Sequence, residues 1–178
     1  PGNPTLGVML PYSPLHAIMM MELKIPVVAT SGNLSEEPIC FDESEVLDRL
    51  GGLADLFLVH DRPIARAMDD SVVKVVLDKP FVIRAGRGYA PVAILFDEEN
   101  SSVIGLGGHL KNTVAISAGS SVFVSQHLGD LESKASFDAF HEAKSSLMNL
   151  YDIDPVTVAH DLHPDYFSTE AAKEMGIE

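Results

Sequence analysis

The sequence predicts an α/β chain made of two partial α/β domains, residues 1–94 and 95–178. Three observations support this. Apolar runs of strand length, such as residues 25–29 and 156–159, alternate with helical stretches such as 15–23 and 133–151. A polar segment, residues 97–102, separates two such arrays, placing the junction between Pro91 and Ser102. The length of 178 residues suits one sizeable core or two small ones, and 46% hydrophobic with 21% charged residues is globular composition.

In the first half, residues 7–10 form a strand candidate. Ser13 can cap a helix that begins at Pro14 and runs to Leu23. That helix is apolar nearly all round, including Met19, Met20 and Met21, which predicts a buried helix. Residues 25–29 return as a strand, completing a strand–helix–strand unit. Asp42 or Ser44 can cap a helix over 45–50, which Gly51 and Gly52 stop. Residues 56–59 read as a buried strand. Strands over 71–77 and 80–85 follow, joined by a turn at Asp78 and Lys79 that lacks the usual glycine.

The loop after residues 25–29 carries Thr30, Ser31, Gly32 and Asn33. Gly32 lets backbone approach a ligand closely, and Ser31 and Asn33 can donate to an anion such as a nucleotide phosphate. The same composition also makes a plain turn, and by composition alone the turn is the stronger reading. Arg62, Arg66, Lys74, Lys79, Arg84 and Arg87 gather half of the twelve basic residues in one stretch of a chain with net charge −14. An anionic ligand would explain that cluster; pairing with Asp69, Asp70 and Asp78 is the alternative.

The second half opens with an antiparallel meander: strands over 103–106 and 113–117 joined by Gly107, Gly108, His109, Leu110, Lys111 and Asn112, then a strand over 122–125. Backbone N–H groups of the first turn, with Lys111, could hold a phosphate, although this is a weak motif that lacks the dinucleotide fingerprint. A helix over 133–151 carries Phe137, Phe140, Leu147, Leu150 and Tyr151 on one stripe, interrupted by Lys144. Residues 156–159 read as a buried strand ending in His160, Asp161, His163 and Asp165, and Ser168 is a candidate cap for the last helix. A strand sends alternate residues to opposite faces, so these histidines do not converge as a metal site, and no metal ligand is assigned. Polar residues at the carboxyl end of a strand suit a ligand crevice better.

The acidic balance of 26 against 12 repels a phosphate backbone and argues against nucleic-acid binding. The single cysteine, Cys40, excludes an internal disulfide and suits a reducing cytoplasm. Its bland reading is a small buried apolar residue. No apolar run reaches the roughly 18 residues of a membrane span. The ends, Pro1-Gly2-Asn3-Pro4 without an initiator Met and Met175-Gly176-Ile177-Glu178 within a helical pattern, suggest a chain cut on both sides.

Several motifs in order resemble one family, the HypF carbamoyltransferases of [NiFe]-hydrogenase maturation. They are residues 8–16, 29–39, 60–64, 69–73, 87–91, 106–113, 125–132 and 161–166, covering nearly the whole chain. The resemblance implies a YrdC-like mixed twisted sheet with helices over 1–94 and the first lobe of an actin-like (ribonuclease H-like) ATPase domain over 95–178. It implies an ATP-dependent activity: carbamoyl adenylate is formed from carbamoyl phosphate and ATP with Mg2+, and the carbamoyl group passes to the C-terminal cysteine of HypE. The nucleotide-binding residues expected on this basis are Thr30, Ser31, Asn33, Arg62, Arg66, Ser71 and Arg87. Gly107, Gly108, Lys111 and Asn112 would form the phosphate loop of the second domain. The family's Lys and Arg partners of the Ser-x-Asn pair, its zinc fingers and its histidine-rich metal motif would lie outside this chain. The expectation is therefore an internal fragment, inactive alone, with no assigned catalytic residue and a tendency to self-associate through unpaired strand edges. Rival readings are an O-carbamoyltransferase of antibiotic biosynthesis, a tRNA threonylcarbamoylation-type YrdC module, and a noncatalytic segment docking HypE.

Overall fold

A computed structural model describes residues 2–34 and 37–177. Ser35 and Glu36, inside the Ser-x-Asn motif region, and the terminal Pro1 and Glu178 lie outside the described residues. The chain divides into two compact units, Pro1–Thr30 and Ser31–Glu178.

The first unit contains α1 (Pro14–Leu23). Ser13 Oγ accepts from His16 N–H at 3.2 Å, as expected of the cap, and the helix ends at Lys24 in the left-handed region with its N–H on Met20 O at 3.0 Å. The expected burial of α1 is not found: it has no buried residue, and Ile18 and Met21 are exposed. The expected strands over 7–10 and 25–29 are also absent, and Val28 is fully exposed. Apolar side chains suit a strand, but only a paired backbone makes one, and no ladder forms in this unit among the described residues.

The second unit begins with α2 (Glu43–Leu50), whose N-cap is Asp42: its Oδ1 accepts from Ser44 N–H at 2.9 Å and Glu45 N–H at 3.2 Å. Gly51 closes it, as expected. Residues 56–59 form no strand and are largely exposed, again for want of a ladder partner. The antiparallel hairpin β1 (Val72–Val76) and β2 (Lys79–Arg84) is present. Because Val76 pairs with Lys79, the turn residues are Leu77 and Asp78, at φ 50° and 60°, one position earlier than the sequence suggests.

A five-stranded sheet has the order β3-β6-β5-β4-β7, with β3 (Val92–Leu95), β4 (Val103–Gly105), β5 (Ala115–Ala118), β6 (Ser121–Val124) and β7 (Thr157–Ala159). The meander β4-β5-β6 is antiparallel as expected, and β7 runs parallel to β4 after crossing over through α3 (Lys134–Tyr151). Strand β3 was not anticipated; it pairs antiparallel with β6 and runs across residues 94 and 95. Strand β7 is an edge strand with only Val158 half-buried, not the buried strand its apolar run suggests.

Helix α3 is capped by Ser133 and buries Phe140, Ala143 and Leu147 against Ile104, Leu106, Val114, Ile116, Leu128 and Leu131. Leu150, placed on the same stripe by periodicity, is exposed in the last turn. Helix α4 (Phe167–Met175) adds Ala171 and Ala172 to this core. Its N-cap is Tyr166, with no side-chain cap bond, so Ser168 is not the cap: it sits inside the first turn, fully buried. The helix therefore starts two residues earlier than a Ser168 cap would place it.

Candidate functional site

The expected nucleotide residues fall into three places. Thr30 is exposed at the end of the first unit. In the second unit Ser31 is exposed, whereas Asn33 folds onto its own loop, with Nδ2 donating to Leu34 O at 2.8 Å and Glu37 O at 2.9 Å. Gly32 O accepts from Cys40 N–H at 2.8 Å, so both ends of this loop are tied by backbone. Asn33 thus spends its donors on the turn itself, the bland reading of the motif. Burial pushes the Cys40 thiol up, against a smaller opposing pull from Arg49, which keeps it protonated at neutral pH.

Arg62 is exposed. Arg66 lines a cavity of about 280 Å3 together with Phe41, Arg49, Gln126, Asp138 and Glu142. Arg49, which the sequence reading did not single out, is ion-paired there with Glu37 and, at 2.5 Å, with Glu45. Its i,i+4 spacing from Glu45 on α2 was the legible signal.

Ser71 and Arg87 are brought together. Ser71 Oγ donates to Arg87 O at 3.0 Å and accepts from Gly86 N–H at 2.8 Å. Arg87 Nε lies 3.6 Å from Asp70 Oδ1, and Arg84 Nε donates to Asp70 O at 3.1 Å. Gly86 is buried, and a Cβ there would overlap the Asp69 carbonyl oxygen, so the two segments meet only because this residue is glycine. Asp69 is the hub: its Oδ2 lies 3.5 Å from His127 Nδ1 and 3.9 Å from Arg84 Nη1. The approach of the His127 ring, helped by the Arg84 charge, holds the Asp69 carboxyl below its ordinary range despite burial. Pairing with Asp69 and Asp70 therefore accounts for Arg84 and Arg87, the alternative weighed for that basic cluster.

The turn between β4 and β5 is the most constructed of the expected sites. Gly107 has φ 64°, and a Cβ on it would overlap the Thr113 carbonyl oxygen. Asn112 is fully buried and faces inward, its Nδ2 donating to Leu106 O at 2.8 Å and Gly108 O at 2.6 Å. Lys111 is exposed at φ 49°, and its N–H donates to Asp130 Oδ1 at 2.7 Å. Among the described residues, the N–H groups of Gly107, Gly108, His109 and Leu110 donate none of the backbone or side-chain bonds of this turn.

Three residues that sequence reasoning gave no role at this turn surround it. Asp161, at the end of β7, brings Oδ2 within 3.4 Å of the position a Gly108 Cβ would take. His109 stacks on Tyr166 at 4.9 Å, and Tyr166 stacks on His163 at 4.2 Å. Glu132 Oε1 lies 3.7 Å from His109 Nε2. The polar run at the carboxyl end of β7 carried the signal for Asp161 and Tyr166. Their approach to residues 107–109 depends on the β4–β7 pairing, which spacing does not specify. Among the described residues no group of three or more His, Cys, Asp or Glu side chains is placed to hold a metal, and no helix is long and apolar enough to cross a membrane.

Two family models match in succession: one described as telomere recombination, of the Sua5/YciO/YrdC type, over residues 1–86, and the HypF Kae1-like domain over 98–178. A carbamoyltransferase HypF from Synechocystis sp. is 50% identical over 178 residues, covering 99% of this chain and 23% of the relative. The chain belongs to the HypF family. Carbamoyltransferase HypF2 from Cupriavidus necator is 43% identical over 195 aligned residues, covering the whole chain and 24% of its own length. A crystal structure of full-length HypF in the phosphate- and nucleotide-bound form superposes with a TM-score of 0.91 at 43% identity, covering 97% of this chain and 28% of that one. HypF from T. kodakarensis gives a TM-score of 0.75 at 29% identity over 84% of the chain. The chain thus spans about a quarter of the length of the HypF proteins it matches.

Proposed function

We propose that this chain is a working part of an ATP-dependent carbamoyltransferase of [NiFe]-hydrogenase maturation, acting in the cytoplasm. The longer protein would form carbamoyl adenylate from carbamoyl phosphate and ATP and pass the carbamoyl group to the C-terminal cysteine thiol of HypE. The observation that carries this reading is the 50% identity over both domain types in HypF order, without interruption between them. The junction is kept at 94–95, and the span 87–97 left between the two family matches supports it. Strand β3 then contributes to the sheet of the second domain.

In this reading Ser31 and the Arg62–Arg66 segment face the nucleotide of the YrdC-like half, where cations offset charge as the adenylate forms. Asn33 shapes the loop rather than donating to the ligand, because its amide is spent at Leu34 and Glu37. Ser71 and Arg87 brace the hairpin beside that site. In the second half, the outward N–H groups of the 107–110 turn and Lys111 suit a phosphate. The carboxylates of Asp130 and Asp161 flank that turn, which fits Mg2+, an ion that neutralises phosphate charge when bound. The family's zinc and histidine metal sites have no counterpart among the residues assigned here.

The chain alone is expected to be inactive, since it spans 23% of its Synechocystis relative. The test grafts these 178 residues in place of the matching segment of that relative and measures carbamoyl-phosphate-dependent ATP–pyrophosphate exchange. Exchange by the graft and none by the isolated chain is the expected outcome. A folded graft without exchange, or an isolated chain that exchanges at the full protein's rate, would overturn it. The tRNA-modification alternative is opposed by the net charge of −14, and retention of tRNA on a filter at low salt would revive it.

A further inference from the structure

We propose that Asn112 is a positioning residue whose side chain aims the backbone N–H groups of Gly107 and His109 at a bound phosphate. The inference rests on the reading of the 107–112 turn as the phosphate-facing loop and gives that loop its mechanism. Asn112 is fully buried, and its own backbone is fixed by N–H to Gly129 O at 2.8 Å and by Leu128 N–H to Asn112 O at 2.9 Å. From this anchored position both Nδ2 protons reach back into the turn, to Leu106 O and Gly108 O.

A trans peptide unit is planar, and its N–H points opposite to the carbonyl of the preceding residue. Drawing the Leu106 carbonyl toward Asn112 therefore turns the Gly107 N–H away from it, and drawing the Gly108 carbonyl does the same to the His109 N–H. The bond from Leu131 N–H to His109 O, 3.0 Å, likewise turns the Leu110 N–H away from Leu131. The result is three unspent donors in one short turn, each directed away from the partner of the preceding carbonyl and free for an oxyanion. Lys111 is different, because its N–H is already held by Asp130.

The Asn112 Oδ1 is buried without a partner, a cost that a leucine of nearly the same shape would avoid. What leucine lacks is the pair of N–H donors that orient the two carbonyls. The ligand class is a terminal phosphate, either inorganic phosphate or the distal phosphates of a nucleotide.

The experiment follows backbone amide signals of the 178-residue chain by NMR during titration with inorganic phosphate and, separately, with ATP. In the wild type the Gly107, His109 and Leu110 amides should shift and exchange more slowly with solvent, while the Lys111 amide should not. Asn112→Leu should weaken phosphate affinity by about tenfold or more, as expected when charge-assisted hydrogen bonds lose their alignment. Leu147→Ala, a core change on α3 that touches no donor or acceptor of the turn, should leave the affinity unchanged even though it lowers stability. If Asn112→Leu does not fold, the wild-type amide pattern decides the matter. Silence of the whole turn with both probes would overturn the phosphate reading and the proposal together. Binding that moves the turn but is equal in Asn112→Leu, or that leaves the Gly107 and His109 amides still, would overturn the role of Asn112 alone.

Discussion

Asp69 joins the hairpin segment to the end of β6 through His127 and Arg84, so its charge has a consequence for stability. Its carboxyl is held below the ordinary 3.8 in the folded state. A depressed carboxylate pKa stabilises the fold above the unfolded value and loses that contribution as pH falls through the folded value. Asp69→Asn should therefore be less stable than the wild type at neutral pH, and the difference should close below about pH 4. Chemical denaturation at a series of pH values checks this; a gap that is constant or widens toward acid would contradict it. At this scale the sequence was only partly legible. The Gly107, Gly108, Lys111 and Asn112 turn is legible as a unit, but the inward turn of the Asn112 amide onto Leu106 O and Gly108 O is not. Asn33 proved likewise to close its own loop. A side chain's type says what it can donate, while the direction of donation depends on which carbonyls the fold brings near.

Among the elements, caps and periodicity located the helices, although Ser168 does not cap α4 and Leu150 is exposed. Ser13 caps α1 as expected and Asp42, one of the two candidates, caps α2, because a side-chain acceptor two or three residues before a free N–H is a local device. Strands were legible where a neighbour lay close in sequence, as in β1–β2 and β4–β5–β6, and at β7, whose partner β4 is distant. The apolar runs at 7–10, 25–29 and 56–59 have strand composition and no ladder, and β3 was missed because its partner β6 follows 26 residues later, from Leu95 to Ser121. The hairpin carries a further consequence. Leu77 and Asp78 both occupy the left-handed region, which costs non-glycine residues about 1–2 kcal/mol each. Leu77→Asn with Asp78→Gly supplies the preferred pair for such a turn and should stabilise the hairpin by about 1 kcal/mol. Slower amide exchange across β1 and β2 would bear this out, and unchanged or faster exchange would count against it.

For the molecule as a whole, the fold class was legible and the quality of the two halves was not. The region after Val103 has a contiguous core around Ile104, Leu106, Phe140 and Leu131, whereas Val28, Leu56, Leu58 and Leu77 are among many apolar residues left exposed before it. Exposed apolar surface on that scale drives association. The isolated chain should therefore show a mass that rises with concentration in light scattering, and a constant monomer mass would contradict this. Composition could not foresee the asymmetry, since apolar residues are distributed along both halves and only tertiary pairing buries them.

The acceptor of the carbamoyl group is the part of the account that reaches furthest from sequence to function. It is tested most directly by incubating the grafted full-length protein with carbamoyl phosphate, ATP and HypE, then reading the C-terminal peptide of HypE by mass spectrometry. The expected result is a carbamoyl group on the terminal cysteine, dependent on both ATP and carbamoyl phosphate. Unmodified HypE beside continuing pyrophosphate exchange, or transfer to a sugar hydroxyl instead, would contradict it.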